Sequence, residues 1–190
     1  FQKAAQLNLP AVANLSLGAT NSTALDGAVQ RSIDAGITYV LAARNSSTDA
    51  CTVSPARVGD GITVGYTDSN DARGAASNVG TCLDLFAPGV AIDAAWYTGD
   101  TATRLEDGSS AAAPAVAGVV AQYLEDRPDA TPDEVAEAVI GAATTGHVTN
   151  PGTGSPNRLL HSRVVPDGAV LTLVVDQRPD DPVDVAFTVC

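Results

Sequence analysis

Asp107-Gly108-Ser109-Ser110-Ala111-Ala112-Ala113-Pro114-Ala115-Val116-Ala117-Gly118-Val119-Val120-Ala121-Gln122-Tyr123-Leu124 is the stretch on which the rest of the chain turns. It opens on a glycine and two serines and continues almost wholly in Ala, Gly and Val. With no polar face before Gln122, a helix of this composition has to run through the interior. Pro114 is expected in its first turn, where the N–H groups have no intrahelical acceptor. A hydroxyl at a helix N-terminus lies where N–H groups point outward and the dipole favours negative charge, a setting suited to a nucleophile. Ser and Thr are also good N-caps, and on this stretch alone capping is the commoner role.

The chain around it has 190 residues, enough for one domain with a substantial core and part of a second. Acids outnumber bases 22 to 10, a net charge of −12, which argues against nucleic acid or an anionic membrane as partner. No run is apolar and long enough to cross a membrane, and no basic segment leads into an apolar one as in a signal peptide. Methionine is absent, so Phe1 is expected to be an internal residue of a longer precursor. There are three cysteines, Cys51, Cys82 and Cys190, without a C-x-x-C pair and with little histidine, which speaks against zinc. Cys51 and Cys82 could form a disulfide worth about 3 to 4 kcal/mol through chain entropy, implying an oxidising compartment, or remain two buried thiols. Cys190 is then left over, with its partner expected outside this sequence.

Upstream of the central helix, residues 11–17 form a compact apolar run that predicts a buried strand. Asn21-Ser22-Thr23 offers caps for a helix with Ala24, Leu25, Ala28, Val29 and Ile33 at helical spacing, stopped at Gly36. Residues 37–43 predict a second buried strand. A strand–helix–strand unit of this kind implies a parallel pair with a right-handed crossover. Further strands are predicted at 62–66 and 82–86, and a fifth at 91–97. Downstream, Thr131-Pro132-Asp133-Glu134 is a capping box that starts a helix running to about residue 143. Residues 157–160 read as a short closing segment. Pro166-Asp167-Gly168 marks a change of character, after which 170–175 and 183–189 read as strands joined by a Pro/Asp-rich turn.

Taken in order, several short motifs resemble the subtilisin-like serine proteases, and within them the aqualysin-like members of the proteinase K branch. Ala13-Asn14-Leu15-Ser16-Leu17-Gly18 is similar to the substrate-binding strand, and Ala42-Ala43-Arg44-Asn45 to the oxyanion segment. Asp49-Ala50-Cys51 and Ser54-Pro55-Ala56-Arg57 resemble a disulfide-bearing loop. Asp71-Ala72-Arg73, Ser77-Asn78, Cys82 to Gly89 and Ala95-Trp96-Tyr97-Thr98 follow in the family's order. Gly108-Ser109-Ser110, with Pro114, Val116, Ala117 and Gly118, matches the nucleophile helix, and Gly154 to Leu160 the end of the protease domain. The resemblance runs from about Pro10 to Ser162.

It implies an α/β doubly wound fold, a mostly parallel sheet with helices on both faces, truncated at its N-terminus. Residues 1–163 would be the C-terminal part of the peptidase domain, and 164–190 a linker and the start of an appended β module. The implied activity is a serine endopeptidase that forms an acyl-enzyme on Ser110. Asn45 would act in the oxyanion hole, and Ser16, Leu17, Gly18, Ala42, Ala43 and Arg44 would bind substrate. By residue type alone Asn45 also suits a turn or, with Ser46 and Ser47, a glycosylation sequon. The resemblance also favours the Cys51–Cys82 disulfide. It implies a structural calcium at Asp84, with backbone carbonyls near Gly59 and Gly61, since calcium accepts a carboxylate with carbonyls and waters. The expected product is a secreted monomer acting on peptide or protein substrates.

Three departures qualify this picture. The family's triad runs Asp, His, Ser, yet His147 and His161 both follow Ser110, so the base and its carboxylate are expected in an N-terminal part of the catalytic domain upstream of Phe1. Arg44 stands where the family has a glycine lining the S1 pocket. It could occlude that pocket, swing out to solvent or pair with an acidic P1 side chain, and it predicts a preference shifted away from large apolar residues. Ser109, Ala111 and Ala115 stand where the family has Thr, Met and His. The alanines are expected to leave space near the site, and Asp107 to place charge near the developing oxyanion. These changes support an alternative in which a catalytically degenerate relative acts as a binding module.

Overall fold

The computed structural model describes Ala4, residues 9–162, and the backbone of residues 171–175 and 183–187. The rest of the opening segment, the Pro166–Gly168 boundary, the Pro/Asp-rich turn and Cys190 lie outside the described residues.

Element order is β1 (Val12–Leu15), β2 (Ala19–Thr20), α1 (Thr23–Asp34), β3 (Thr38–Ala42), β4 (Val53–Ser54), β5 (Ile62–Thr67), β6 (Leu85–Pro88), β7 (Ile92–Ala95), β8 (Thr103–Glu106), α2 (Ser109–Asp126), α3 (Pro132–Gly141), β9 (Thr144–Thr145), β10 (Arg158–Leu159), β11 (Leu171–Val175) and β12 (Val183–Phe187). Six strands form the main sheet in the order β1-β3-β5-β6-β10-β9. All its pairings are parallel except β9 with β10.

β3 shows why the sheet needs cover on both sides, because all of its residues are buried. Alternate side chains leave by opposite faces. Tyr39 and Leu41 pack with Val29 and Ile33 of α1. Val40 and Ala42 pack with Val116, Ala117 and Val120 of α2 and with Val135 and Val139 of α3. The doubly wound arrangement expected from the sequence is therefore present. The predicted helix starts also hold. Ser22 Oγ accepts from Leu25 N at 3.3 Å to cap α1, and Thr131 with Glu134 forms the capping box of α3. Hydrogen bonds from the Thr131 N–H and then its hydroxyl hold the Glu134 carboxyl below its usual pKa.

Two expectations change, and one strand was not foreseen. β6 begins at Leu85 rather than Cys82, because Leu83 N turns back to Gly80 O and the Cys82 sulfur is bonded to Cys51. The stretch at 91–97 yields β7, which leaves the main sheet and pairs antiparallel with β8 in a separate ribbon. β8 escapes a search for apolar runs because Thr103-Arg104-Leu105-Glu106 is nearly all polar. The ribbon ends in an aromatic pair, with Arg104 stacked 4.4 Å above the Trp96 ring. β11 and β12 pair antiparallel with each other, outside the six-stranded sheet.

Candidate active site

The site gathers where α2 begins, beside the C-terminal ends of β1 and β3. The N-cap of α2 is Gly108, with no side-chain cap of its own. The two serines therefore do not cap in the way their types allow. Instead Asn45, 64 positions away, supplies the acceptor: Ser109 N donates to Asn45 Oδ1 at 2.9 Å. The buried Ser109 hydroxyl donates to the same oxygen at 3.0 Å and accepts from Arg44 N at 2.9 Å. With Oδ1 taken twice, the orientation of the amide is set, and Nδ2 faces the helix start without a protein acceptor among the described residues. Gly108 leaves room for this. Its φ is +131°, and a Cβ there would collide with Asn45 Nδ2 and lie 3.0 Å from Cγ.

Ser110 is exposed at the second position of α2. Its hydroxyl donates to Ser16 O at 3.3 Å. Its own N–H belongs to the first turn and has no acceptor among the described residues. Ser110 N–H and Asn45 Nδ2 are thus two unengaged donors at the start of α2, where the exposed Ser110 hydroxyl also lies. Such a pair can stabilise an oxyanion formed on a carbonyl that this hydroxyl attacks.

Pro114 corrects an expectation. It is the sixth residue of α2, beyond the first turn. The N–H it lacks would have donated to Ser110 O. That carbonyl is taken instead by the Ser16 hydroxyl at 2.8 Å. The helix gives up one internal hydrogen bond and gains a tie to the strand segment opposite.

The segment 44–48 is held from behind by buried Asn78, which the sequence had singled out. Its Oδ1 accepts from Ser46 N at 3.0 Å and Thr48 N at 3.1 Å, and its N donates to Arg44 O at 3.1 Å. Cys51 and Cys82 form a disulfide with Cα atoms 5.2 Å apart, tying the loop after β3 to the entry of β6.

Other predicted residues fall differently. Ser16, which bonds Ser110, and Leu17 are exposed and Gly18 is half-buried. Ala42 and Ala43 are buried. Ala42 packs against α2, and Ala43 joins Leu83 and Phe86 in the core, so any contact with a ligand there is through backbone. Ala115 is exposed and Ala111 half-buried, so neither leaves a closed void. The Asp107 carboxylate is engaged by Ala91 N at 2.6 Å, at the base of the β7–β8 ribbon. His147 and His161 are exposed, and no hydrogen bond joins either to Ser110. The sequence reading missed Ser109, the strut between Asn45 and Arg44. A second hydroxyl before the nucleophile was its only signal.

Asp84 lies apart from this cleft. Its Oδ2 accepts from Thr63 N at 2.7 Å, while Oδ1 has no protein partner among the described residues. Burial pushes its pKa up to about 6, partly offset by the Thr63 hydrogen bond and by Arg158. No group of three His, Cys, Asp or Glu that could hold a metal occurs among the described residues, so a cation at Asp84 would rest on one carboxylate with carbonyls and water.

The chain belongs to the subtilase family, whose family description, Peptidase_S8, matches residues 2–160. It is 54% identical over 153 residues to an extracellular serine proteinase of Thermus sp. (strain Rt41A), covering 80% of this chain and 37% of that protein. It is 49% identical over 159 residues to alkaline serine exoprotease A of Vibrio alginolyticus, covering 84% and 29%. The crystal structure of a cold-adapted subtilisin-like serine proteinase superposes with a TM-score of 0.79 at 46% identity, covering 83% of this chain and 56% of that one. The chain thus spans about a third of the length of these two named proteinases.

Proposed function

We propose that this chain carries the nucleophile and oxyanion hole of a secreted serine endopeptidase. Ser110 Oγ attacks a peptide carbonyl as its proton passes to a general base. The C–N bond breaks as the amine leaves with that proton, and water then hydrolyses the Ser110 ester. The observation that carries this reading is the Asn45 amide, oriented by Ser109 at the start of α2, with Nδ2 and the Ser110 N–H both without a protein acceptor among the described residues. Base and orienting carboxylate are proposed to be groups other than His147 and His161, neither of which bonds to Ser110. Substrates are peptides or proteins, and the enzyme acts as a monomer. The disulfide and the name of the Thermus relative support secretion. The test is labelling of the full-length product with a serine-directed fluorophosphonate, followed by peptide mapping. An adduct on Ser110 is expected; a folded protein without one overturns the reading.

We further propose a structural calcium on Asp84, with the carbonyls of Gly59 and Gly61. The partnerless Oδ1 and the turn closed by Gly61 N to Val58 O at 3.1 Å support it. Without calcium, the raised Asp84 pKa means that the folded state holds the proton more tightly than the unfolded chain. The stability this gives is full below about 3.8 and is lost as pH rises through about 6. In chelator, Asp84→Asn is therefore expected to melt above wild type at pH 8 and to lose that advantage near pH 4. Added calcium at pH 8 raises the melting temperature of wild type and leaves that of Asp84→Asn unchanged. Thermal unfolding in the two conditions checks both statements.

A further inference from the structure

We propose that Arg44 makes this cleft select peptides with an acidic side chain on the residue whose carbonyl Ser110 attacks. The inference rests on Ser110 being the nucleophile. Gly18 lies just past the end of β1, and Arg44 just past the end of β3. These are adjacent parallel strands, and at their carboxyl ends an α/β sheet opens its binding crevice. Arg44 has φ +77°, in the left-handed region that side-chain-bearing residues rarely occupy and that clusters at functional sites. From there its side chain crosses to Gly18. A Cβ on Gly18 would fall 2.7 Å from Arg44 Cγ, 2.5 Å from Cδ and 3.3 Å from Nε. The stem therefore lies on the bare backbone of Gly18, which only a glycine permits.

The segments at both ends of this bridge are tied to the first residues of α2. Arg44 N donates to Ser109 Oγ at 2.9 Å, and Ser16 Oγ donates to Ser110 O at 2.8 Å. The guanidinium end of the side chain is thus carried over Gly18, two residues from the Ser16 that bonds Ser110. Among the described residues no hydrogen bond or ion pair holds it. A guanidinium on a half-buried residue, with no protein partner among the described residues, is matched by a carboxylate, which it can engage through two parallel hydrogen bonds. A large apolar side chain would have to displace the stem from Gly18 and leave the charge unpaired. The net charge of −12 disfavours acidic peptides in general, so a preference for them has to come from a local cation of this kind.

The test measures binding and turnover separately on the full-length product. On a Ser110→Ala background, tripeptide products ending in Glu and in Leu are titrated. Both carry the same terminal carboxylate, so the affinity ratio isolates the side chain. The Glu product is expected to bind about tenfold or more tightly, the scale of one charge-assisted hydrogen bond. Arg44→Gly is expected to abolish or reverse the ratio, and Arg44→Lys to keep part of it. Equal binding of the two products, or a ratio unchanged in Arg44→Gly, overturns the proposal. Because this readout needs no turnover, failure of the protease reading shows separately, as absent fluorophosphonate labelling of wild type. In the active enzyme, kcat/KM for peptides cleaved after Glu and after Leu is expected to follow the same ratio.

Discussion

The Asn45→Ala enzyme is expected to lose about 10²- to 10³-fold in kcat with little change in KM, the loss found when one such donor is removed from subtilisin, a member of the same family. The donor at stake is Nδ2, which has no other partner among the described residues. In the proposed oxyanion hole it would be engaged only when charge develops on the attacked carbonyl oxygen, so its loss would fall on the transition state rather than on substrate binding. The same substitution removes the acceptor for both Ser109 N and Ser109 Oγ. Loss of a helix cap costs about 1 kcal/mol, so a lowered melting temperature accompanies the lost activity. Asn45→Asp separates the two effects. It keeps an oxygen for Ser109, and with it the stability, while replacing the donor with a negative charge. Steady-state kinetics and thermal unfolding of the three proteins check this. A variant that keeps wild-type kcat would remove Asn45 from the oxyanion hole.

Gly108→Ala is expected to reduce activity at least as far, although Gly108 bears no reactive group. Its φ of +131° is unfavourable for alanine, and the new Cβ would collide with Asn45 Nδ2 and lie within 3.1 Å of Oδ1. Backbone relief is blocked because Gly108 N donates to Gly89 O at 2.7 Å, and Gly108 O accepts from Ala111 N at 3.0 Å and Ala112 N at 3.2 Å. The amide of Asn45 has to turn away, taking the cap and the donor with it. Strain of this kind costs about 1–3 kcal/mol, to be read as a lowered melting temperature. Because both substitutions act through one amide, the Asn45→Ala/Gly108→Ala double variant is expected to lose much less activity than the two single losses combined. Independent, additive losses would show that Gly108 acts by another route.

The parts of the fold visible in the sequence were those written in local pattern. β1, α1 and β3 follow from apolar runs and caps, and α3 from its capping box. The separate β7–β8 ribbon was not visible, because β8 is polar and its pairing depends on a turn with no apolar signature. Within the site, the ordered motifs located Ser110 and Asn45, but the bonds that orient them join residues far apart in the chain. Ser109 reads as a cap until Asn45 is seen 64 positions away. Asp107 reads as a charge beside the oxyanion until Ala91 N is found on its carboxylate. Arg44 presents three possible directions in sequence, and its left-handed backbone and the resting of its stem on Gly18 became visible only in the structure.

Pro114 is the missing rung that lets the nucleophile be anchored outside its own helix. An unbroken helix would spend the Ser110 carbonyl internally, leaving the serine's position to follow that of the helix alone. With the rung absent, Ser110 and Ser16 clasp one another in both directions, carbonyl to hydroxyl and hydroxyl to carbonyl. On the proposed function, a peptide lying along residues 16–18 would meet a segment already bonded to the attacking serine. On that reading, the alignment of substrate and nucleophile would be built into the resting protein by an imino acid one helical turn further on.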